Sequence, residues 1–109
     1  MPYQDKDPLR TDIGGKFPLG RTVFSDGVQA LVHGDPIAPL SLNAFLRLHH
    51  TGRWGAVSPE DADANDRALA DGGPIVSRYQ VQGRMVLIVT DAEPRASTTV
   101  MLEEEYPSS

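Results

Sequence analysis

The sequence contains no cysteine, so disulfide bonds and cysteine-based zinc sites are excluded. It also lacks an apolar run long enough to cross a bilayer, and its first residues do not resemble a signal peptide. A cytoplasmic protein without membrane segments is therefore expected. Basic residues are few, with 10 Lys plus Arg against 15 Asp plus Glu and a net charge of −5. This balance argues against direct nucleic-acid binding and favours a protein partner that is basic or itself binds nucleic acid.

The most regular part of the sequence is its last third, where three strands joined by short turns are predicted. They are Ile75–Val81, Arg84–Thr90 and Ser97–Leu102. The middle strand carries an uninterrupted apolar run, which indicates a central position in an antiparallel sheet. At 109 residues the chain is long enough to bury one core and too short for two.

Two main helices are predicted ahead of these strands. The first covers Leu42–His50, with Ser41 as its N-cap. Pro36 and Pro39 are expected to keep the segment before it extended. The second helix begins after Ser58, where a following proline and acidic residues are typical of a helix start. Its apolar stripe is thin, so this helix is expected to lie on the surface and present its carboxylates to solvent or a partner.

These elements predict a single α+β domain over residues 16–106, with a flexible arm at 1–15 and a tail at 107–109. The expected sheet has three or four antiparallel strands, including the C-terminal meander, and the two main helices pack on one of its faces. The fourth strand is expected at Phe17–Phe24. The second face of the sheet is expected to be covered by the N-terminal segment or by a second copy of the chain in a homodimer.

No catalytic, cofactor or metal motif stands out, so a protein without enzymatic activity, cofactor or metal is the first expectation. His49 and His50 are neighbours on a helix and point about 100° apart, which prevents them from binding one metal ion together. His49 falls on the apolar face and is interpreted as a structural histidine. A sheet face rich in hydroxyl groups leaves an alternative open, a small metal-independent ribonuclease or toxin of barnase-like or RelE-like architecture. Its candidate catalytic residues are His50, Arg78, Arg95 and Thr98.

Two features are candidates for a partner-binding surface. One is the loop with Arg53 and Trp54, because these residue types are over-represented among interface hot spots. The tryptophan is also interpreted as a plug for the end of the core, and both interpretations stay open. The other feature is the acidic second helix, whose spaced carboxylates suit a basic partner or imitate a phosphate backbone. Its candidate residues are Glu60, Asp61, Asp63 and Asp66.

From about Leu19 to Tyr106 the sequence carries short motifs in a defined order. They are Leu19-Gly20, His50-Thr51-Gly52-Arg53-Trp54-Gly55, Asp61 with Asn65-Asp66-Arg67-Ala68-Leu69, Ser77-Arg78-Tyr79, Thr90-Asp91-Ala92-Glu93-Pro94-Arg95-Ala96-Ser97-Thr98-Thr99 and Glu105-Tyr106. In order and spacing they resemble a family of small "plasmid-related" proteins found on plasmids, integrative elements and phages. The chain departs from the family pattern at Arg53, where the family carries an acidic residue, and in the turn around Pro94, which is longer here. The resemblance implies a mobile-element setting, in which small acidic proteins are often non-catalytic inhibitors of host defence, of the anti-CRISPR or antirestriction type.

Overall fold

The computed structural model describes residues 15–106, so the arm and tail expected at the two ends lie outside the described residues, apart from Gly15. In chain order the elements are β1 (Arg21–Phe24), α1 (Asp26–Gly34), α2 (Ala38–His50), α3 (Pro59–Asp71), β2 (Ile75–Val81), β3 (Arg84–Thr90) and β4 (Ser97–Leu102). A 3-10 helix, Glu103–Glu105, follows β4. Within the described part of the chain, no helix is long and apolar enough to cross a membrane.

The four strands form one mixed sheet in the order β1-β4-β3-β2. Strands β2, β3 and β4 pair antiparallel as a meander, with Ile88 opposite both Ser77 and Val100. The predicted α+β class and the ranges of these three strands are confirmed. The sheet differs from the expectation in one respect, since β1 runs parallel to β4 with Thr22 beside Thr98. Three helices and two strands separate β1 from β4, so no local turn imposes an antiparallel arrangement on this pair.

The main core lies between one face of the sheet and the helices α1 and α2. Its buried side chains are Val28, Ala38, Leu42, Tyr79, Val81, Val86, Ile88, Val100 and Leu102. Helix α3 lies instead along the edge of β2, where a second buried cluster consists of Phe17, Leu19, Trp54, Ala68 and Ile75. The two predicted main helices both pack against β2, α2 over the main core and α3 at the strand's edge, and the short α1 adds a third helix to the arrangement. The first strand begins only at Arg21 rather than at Phe17, because Gly20, with φ +65°, interrupts the extended backbone.

Helix α2 begins at Ala38, so Ser41 lies inside the helix rather than at its N-cap. The prolines before Ser41 do not keep the chain extended as predicted. Pro39 lies in the first turn of the helix, where a missing N–H costs no hydrogen bond. The Asp35 carboxylate also accepts a hydrogen bond, at 2.8 Å, from the backbone N–H two residues later. The helix start is therefore set by groups that lie ahead of the predicted cap.

Candidate functional site

A chain of buried hydrogen bonds crosses the sheet from β2 toward β1. His49 Nδ1 lies 2.5 Å from the Ser77 hydroxyl, and Nε2 lies 2.8 Å from the Thr90 hydroxyl. The Thr90 hydroxyl lies 2.7 Å from that of Thr98, which donates to the Leu19 carbonyl at 2.7 Å. All four side chains in this relay are 0% exposed. The relay links α2 to three strands and to the segment that precedes β1.

One arrangement of hydrogens satisfies the relay. Because Thr98 donates to the Leu19 carbonyl, its oxygen accepts from the Thr90 hydroxyl. Thr90 then accepts from the Nε2–H of His49, whose Nδ1 accepts from the Ser77 hydroxyl. This pattern requires a neutral imidazole, and burial, helped by the neighbouring histidine, lowers the pKa of His49 from 6.5 to about 3. The geometry agrees with the interpretation of His49 as a structural histidine.

The Ser77–His49 pair contains the atoms of a nucleophile and its base but is closed to substrate. In a working site, a serine hydroxyl that donates to an imidazole must also reach the bond it attacks. Here both side chains are 0% exposed. The rings of Phe17 and Trp54 also pack edge-on around the imidazole, with centroids 5.2 and 6.0 Å from it. The pair therefore stabilises the fold.

Two of the four ribonuclease candidates lie on opposite faces of the sheet. Arg78 is in register with Leu87, whereas Thr98 is in register with Thr90. Side chains three residues apart on one strand point to opposite faces, so Arg78 faces away from the buried relay that contains Thr98. Arg78 instead forms a bidentate ion pair with Glu103, with N to O distances of 2.8 and 3.1 Å. These hydrogen bonds hold the pKa of the Glu103 carboxyl below its usual range.

The other two ribonuclease candidates are buried. Arg95 is 3% exposed and donates to the Ala68 and Gly73 carbonyls at 3.0 and 2.9 Å, where it stabilises the C-terminal end of α3. His50 is 5% exposed, and its ring packs edge-on against Phe17. The four candidates therefore share no surface at which a substrate phosphate could meet them.

The loop that carries Trp54 closes the edge of β2. Trp54 is 6% exposed, and its indole N–H donates to the Asp66 carboxylate at 3.1 Å. Its carbonyl accepts from the Arg78 N–H at 3.0 Å, while the Ala56 N–H donates to the Arg78 carbonyl at 2.7 Å. Arg53 remains exposed. Of the two interpretations left open for Trp54, the structure matches the core plug, because the indole is not available as an exposed anchor.

The carboxylates predicted to bind a partner stand on a firmly anchored helix. The Asn65 side chain donates to the Val76 carbonyl at 2.8 Å and accepts from the Val76 N–H at 3.1 Å. This pairing fixes the buried side of α3 against β2. The candidate carboxylates Glu60, Asp61, Asp63 and Asp66 are all exposed. Asp66 already accepts from the indole, and the other three, called here the acidic face of α3, form no ion pair within residues 15–106.

A groove that the sequence did not predict opens beside β1. It has a volume of about 680 Å³ and lies between β1 and the facing sides of α1 and α2. Its apolar lining includes Phe24, Val32, Pro39 and Leu42, and Arg21 lies at its rim. We call it the β1 groove. The alternation of apolar and polar residues in β1 is too short to predict an open sheet edge from the sequence. The position of that edge also depends on pairing with a strand more than 70 residues later.

Comparison of the chain with protein-family models, with curated proteins and with solved structures finds no match. Within residues 15–106, no group of three or more His, Cys, Asp or Glu side chains is placed to hold a metal ion. The geometry leaves two candidate binding surfaces, the acidic face of α3 and the β1 groove.

Proposed function

We propose that this chain is a non-catalytic inhibitor that binds a basic protein partner through the acidic face of α3. The observation that carries the proposal is that Glu60, Asp61 and Asp63 are exposed and without ion pairs in the described part of the chain. The side chains best suited to chemistry, His49 and Ser77, are buried and fully hydrogen-bonded. The surface thus offers charge for recognition, while the reactive groups are withdrawn from it.

The rigidity of α3 favours recognition by charge. Carboxylates on an anchored helix are already held at a fixed spacing, with Glu60 and Asp63 about 4.5 Å apart along the helix axis. A partner therefore does not have to order this surface on binding, and less conformational entropy is lost. Attraction between exposed charges acts over about 8 Å at physiological salt, so the acidic face mainly speeds association and selects for basic surfaces.

The resemblance to the "plasmid-related" family supports a more specific form of this proposal. In that form the partner is a component of a host defence system, of the kind that anti-CRISPR or antirestriction proteins block. Such components bind nucleic acids and carry basic surfaces for the phosphate backbone. A helix with spaced carboxylates would occupy the same surface.

Affinity capture with matched variants tests the proposal. Asp63→Lys reverses one charge on the acidic face, and Glu104→Lys reverses one on the 3-10 helix, where Glu104 pairs with Arg84 at the surface. Each variant replaces one negative charge by one positive charge, so the net charge of −5 becomes less negative by the same amount in both. We expect the wild type and Glu104→Lys to capture the same protein from a host lysate. That protein should bind Asp63→Lys about tenfold more weakly. Equal capture by all three baits would contradict the proposal.

A further inference from the structure

The outer edge of β1 has unpaired backbone groups. The N–H groups of Arg21 and Ser25 donate, at 2.9 Å each, to carbonyls of the segment that contains β4. Because successive residues of a strand point to opposite edges, the backbone groups of Thr22 and Phe24 point away from β4. The Phe24 carbonyl accepts from a glutamine side chain of α1 at 2.8 Å. Within residues 15–106, both N–H groups and the Thr22 carbonyl have no hydrogen-bond partner, so they can pair with an added strand.

The groove beside this edge suits apolar side chains. Val32, Pro39 and Leu42 line it from the two helices, and Phe24, itself 38% exposed, lines it from β1. Side chains of a strand laid along β1 would point alternately into this groove and toward the opposite face of the sheet. Burial of one or two apolar side chains there would add to the backbone hydrogen bonds. An extended segment with apolar residues at alternate positions therefore fits the edge.

The charge around the groove indicates that a bound extended segment carries an acidic side chain. Arg21 is exposed and has no ion pair within residues 15–106, and His33 is the other basic residue at the rim. Among the residues that the structure describes, no carboxylate lines the groove, although the whole chain has a net charge of −5. A carboxylate of the bound segment beside Arg21 would supply the missing partner. A second copy of the chain paired through β1 would instead bring two such basic edges together.

We propose that the β1 groove binds an extended peptide segment of a partner protein, which adds a strand to the sheet at β1. The segment places apolar side chains over Val32 and Leu42 and an acidic side chain beside Arg21. Main-chain hydrogen bonds provide affinity, and the alternate side chains provide specificity. This surface is separate from the acidic face of α3, so the proposal does not depend on that face binding a basic partner.

A library of random ten-residue peptides displayed on phage supplies the probe. The library is selected on the wild-type chain and counter-selected on Thr22→Pro, which removes an outward N–H while the pairing with β4 stays possible. We expect enriched peptides that alternate apolar residues and carry at least one Asp or Glu. Synthetic copies should bind Thr22→Pro about tenfold more weakly, and Arg21→Glu about fivefold more weakly, than the wild type. Methylation of the peptide's alternate backbone nitrogens should abolish binding.

Three results would overturn the proposal. One is the absence of enriched peptides on the wild type, and another is binding that N-methylation of the peptide leaves unchanged. The third is a wild-type dimer in solution that Thr22→Pro separates, which would assign the edge to a second copy of the chain. Circular dichroism controls the folding of each variant. If Thr22→Pro does not fold, Arg21→Glu and the N-methylated peptides still decide the result.

Discussion

The two edge strands of the sheet, β1 and β2, differ in how their outward backbone groups are hydrogen-bonded. At the β2 edge, both backbone groups of Val76 pair with the Asn65 side chain, and both backbone groups of Arg78 pair with the loop around Trp54. At the β1 edge, all four residues are exposed, and the backbone groups of Thr22 find no partner within residues 15–106. The β2 edge is thus sealed by side-chain and loop groups, whereas no described residue seals the β1 edge in this way.

The difference between the two edges bears on the proposal that β1 binds an added strand. Unpaired strand edges are templates for aggregation, and proteins usually cover, shorten or charge them. This chain covers β2 with a helix and a loop, while within residues 15–106 the edge of β1 is protected by its shortness, by the charge of Arg21 and by one side-chain hydrogen bond to the Phe24 carbonyl. The contrast with β2 is consistent with the proposal that β1 pairs with a partner segment. The predictions below act on this contrast, in order of decreasing effect.

Acid should destabilise the whole domain, and with it both edges, because His49 in the buried relay is neutral in the folded chain. The pKa of His49 is about 3 in the folded chain and 6.5 when unperturbed. The unfolded chain therefore takes up the proton first, and stability present above pH 6.5 is lost as the pH falls toward 3. Between pH 7 and about pH 4, the free energy of unfolding should fall by about 3 kcal/mol from this group. Denaturant titrations across this range measure it.

The control for the acid prediction is a pair of histidine variants. His49→Gln should be less stable at pH 7 and should lose most of the dependence on pH above about pH 4. His33→Gln, at an exposed site, should keep the wild-type dependence. Parallel stability curves for the wild type and His49→Gln would show that the relay does not control acid stability.

Removal of the Asn65 amide should open the sealed edge. Asn65→Ala leaves the N–H and carbonyl of Val76 without partners beneath α3, which should cost about 2 to 3 kcal/mol. Asn43→Ala, at an exposed position on α2, is the matched control and should change stability by less than about 0.5 kcal/mol. Hydrogen exchange should speed up at Val76 and not at Thr22. Equal protection of Val76 in Asn65→Ala and the wild type would contradict the assigned role.

A side chain at Gly55 should push the sealing loop away from β2. Gly55 has φ +79°, and an added Cβ would lie 2.2 Å from the Arg78 carbonyl oxygen. Gly55→Ala should therefore cost about 2 kcal/mol, through backbone strain and separation of the loop from the strand. Gly34→Ala, where the added Cβ meets nothing within 4 Å, should be neutral or slightly stabilising. Thermal melts of both variants provide the comparison.

The open edge should tolerate proline best. Thr22→Pro removes an N–H that points to solvent and should lower stability by less than about 1 kcal/mol. Val23→Pro removes an N–H that points toward β4 and should cost about 3 kcal/mol. Chemical denaturation of the two variants measures this difference. Equal losses would show that β1 has no free edge.

Local features made much of the fold predictable. The strands Ile75–Val81, Arg84–Thr90 and Ser97–Leu102 were predicted with the correct ends, because alternation and turn residues act within a few positions. The start of α3 was also predicted, since the Ser58 hydroxyl accepts from the N–H three residues on at 3.0 Å. The exposure of Glu60, Asp61, Asp63 and Asp66 followed from the thin apolar stripe of the same helix.

The sequence by itself determined the three strands of the meander, the start of α3 and the surface position of its carboxylates, because these depend on short-range hydrogen bonding and on the period of apolar residues. The tertiary structure alone decided that β1 lies parallel to β4, that Asn65 seals β2, and that a groove opens beside β1. Each of these depends on backbone groups far apart in the chain, whose pairing is settled only when the whole sheet is assembled.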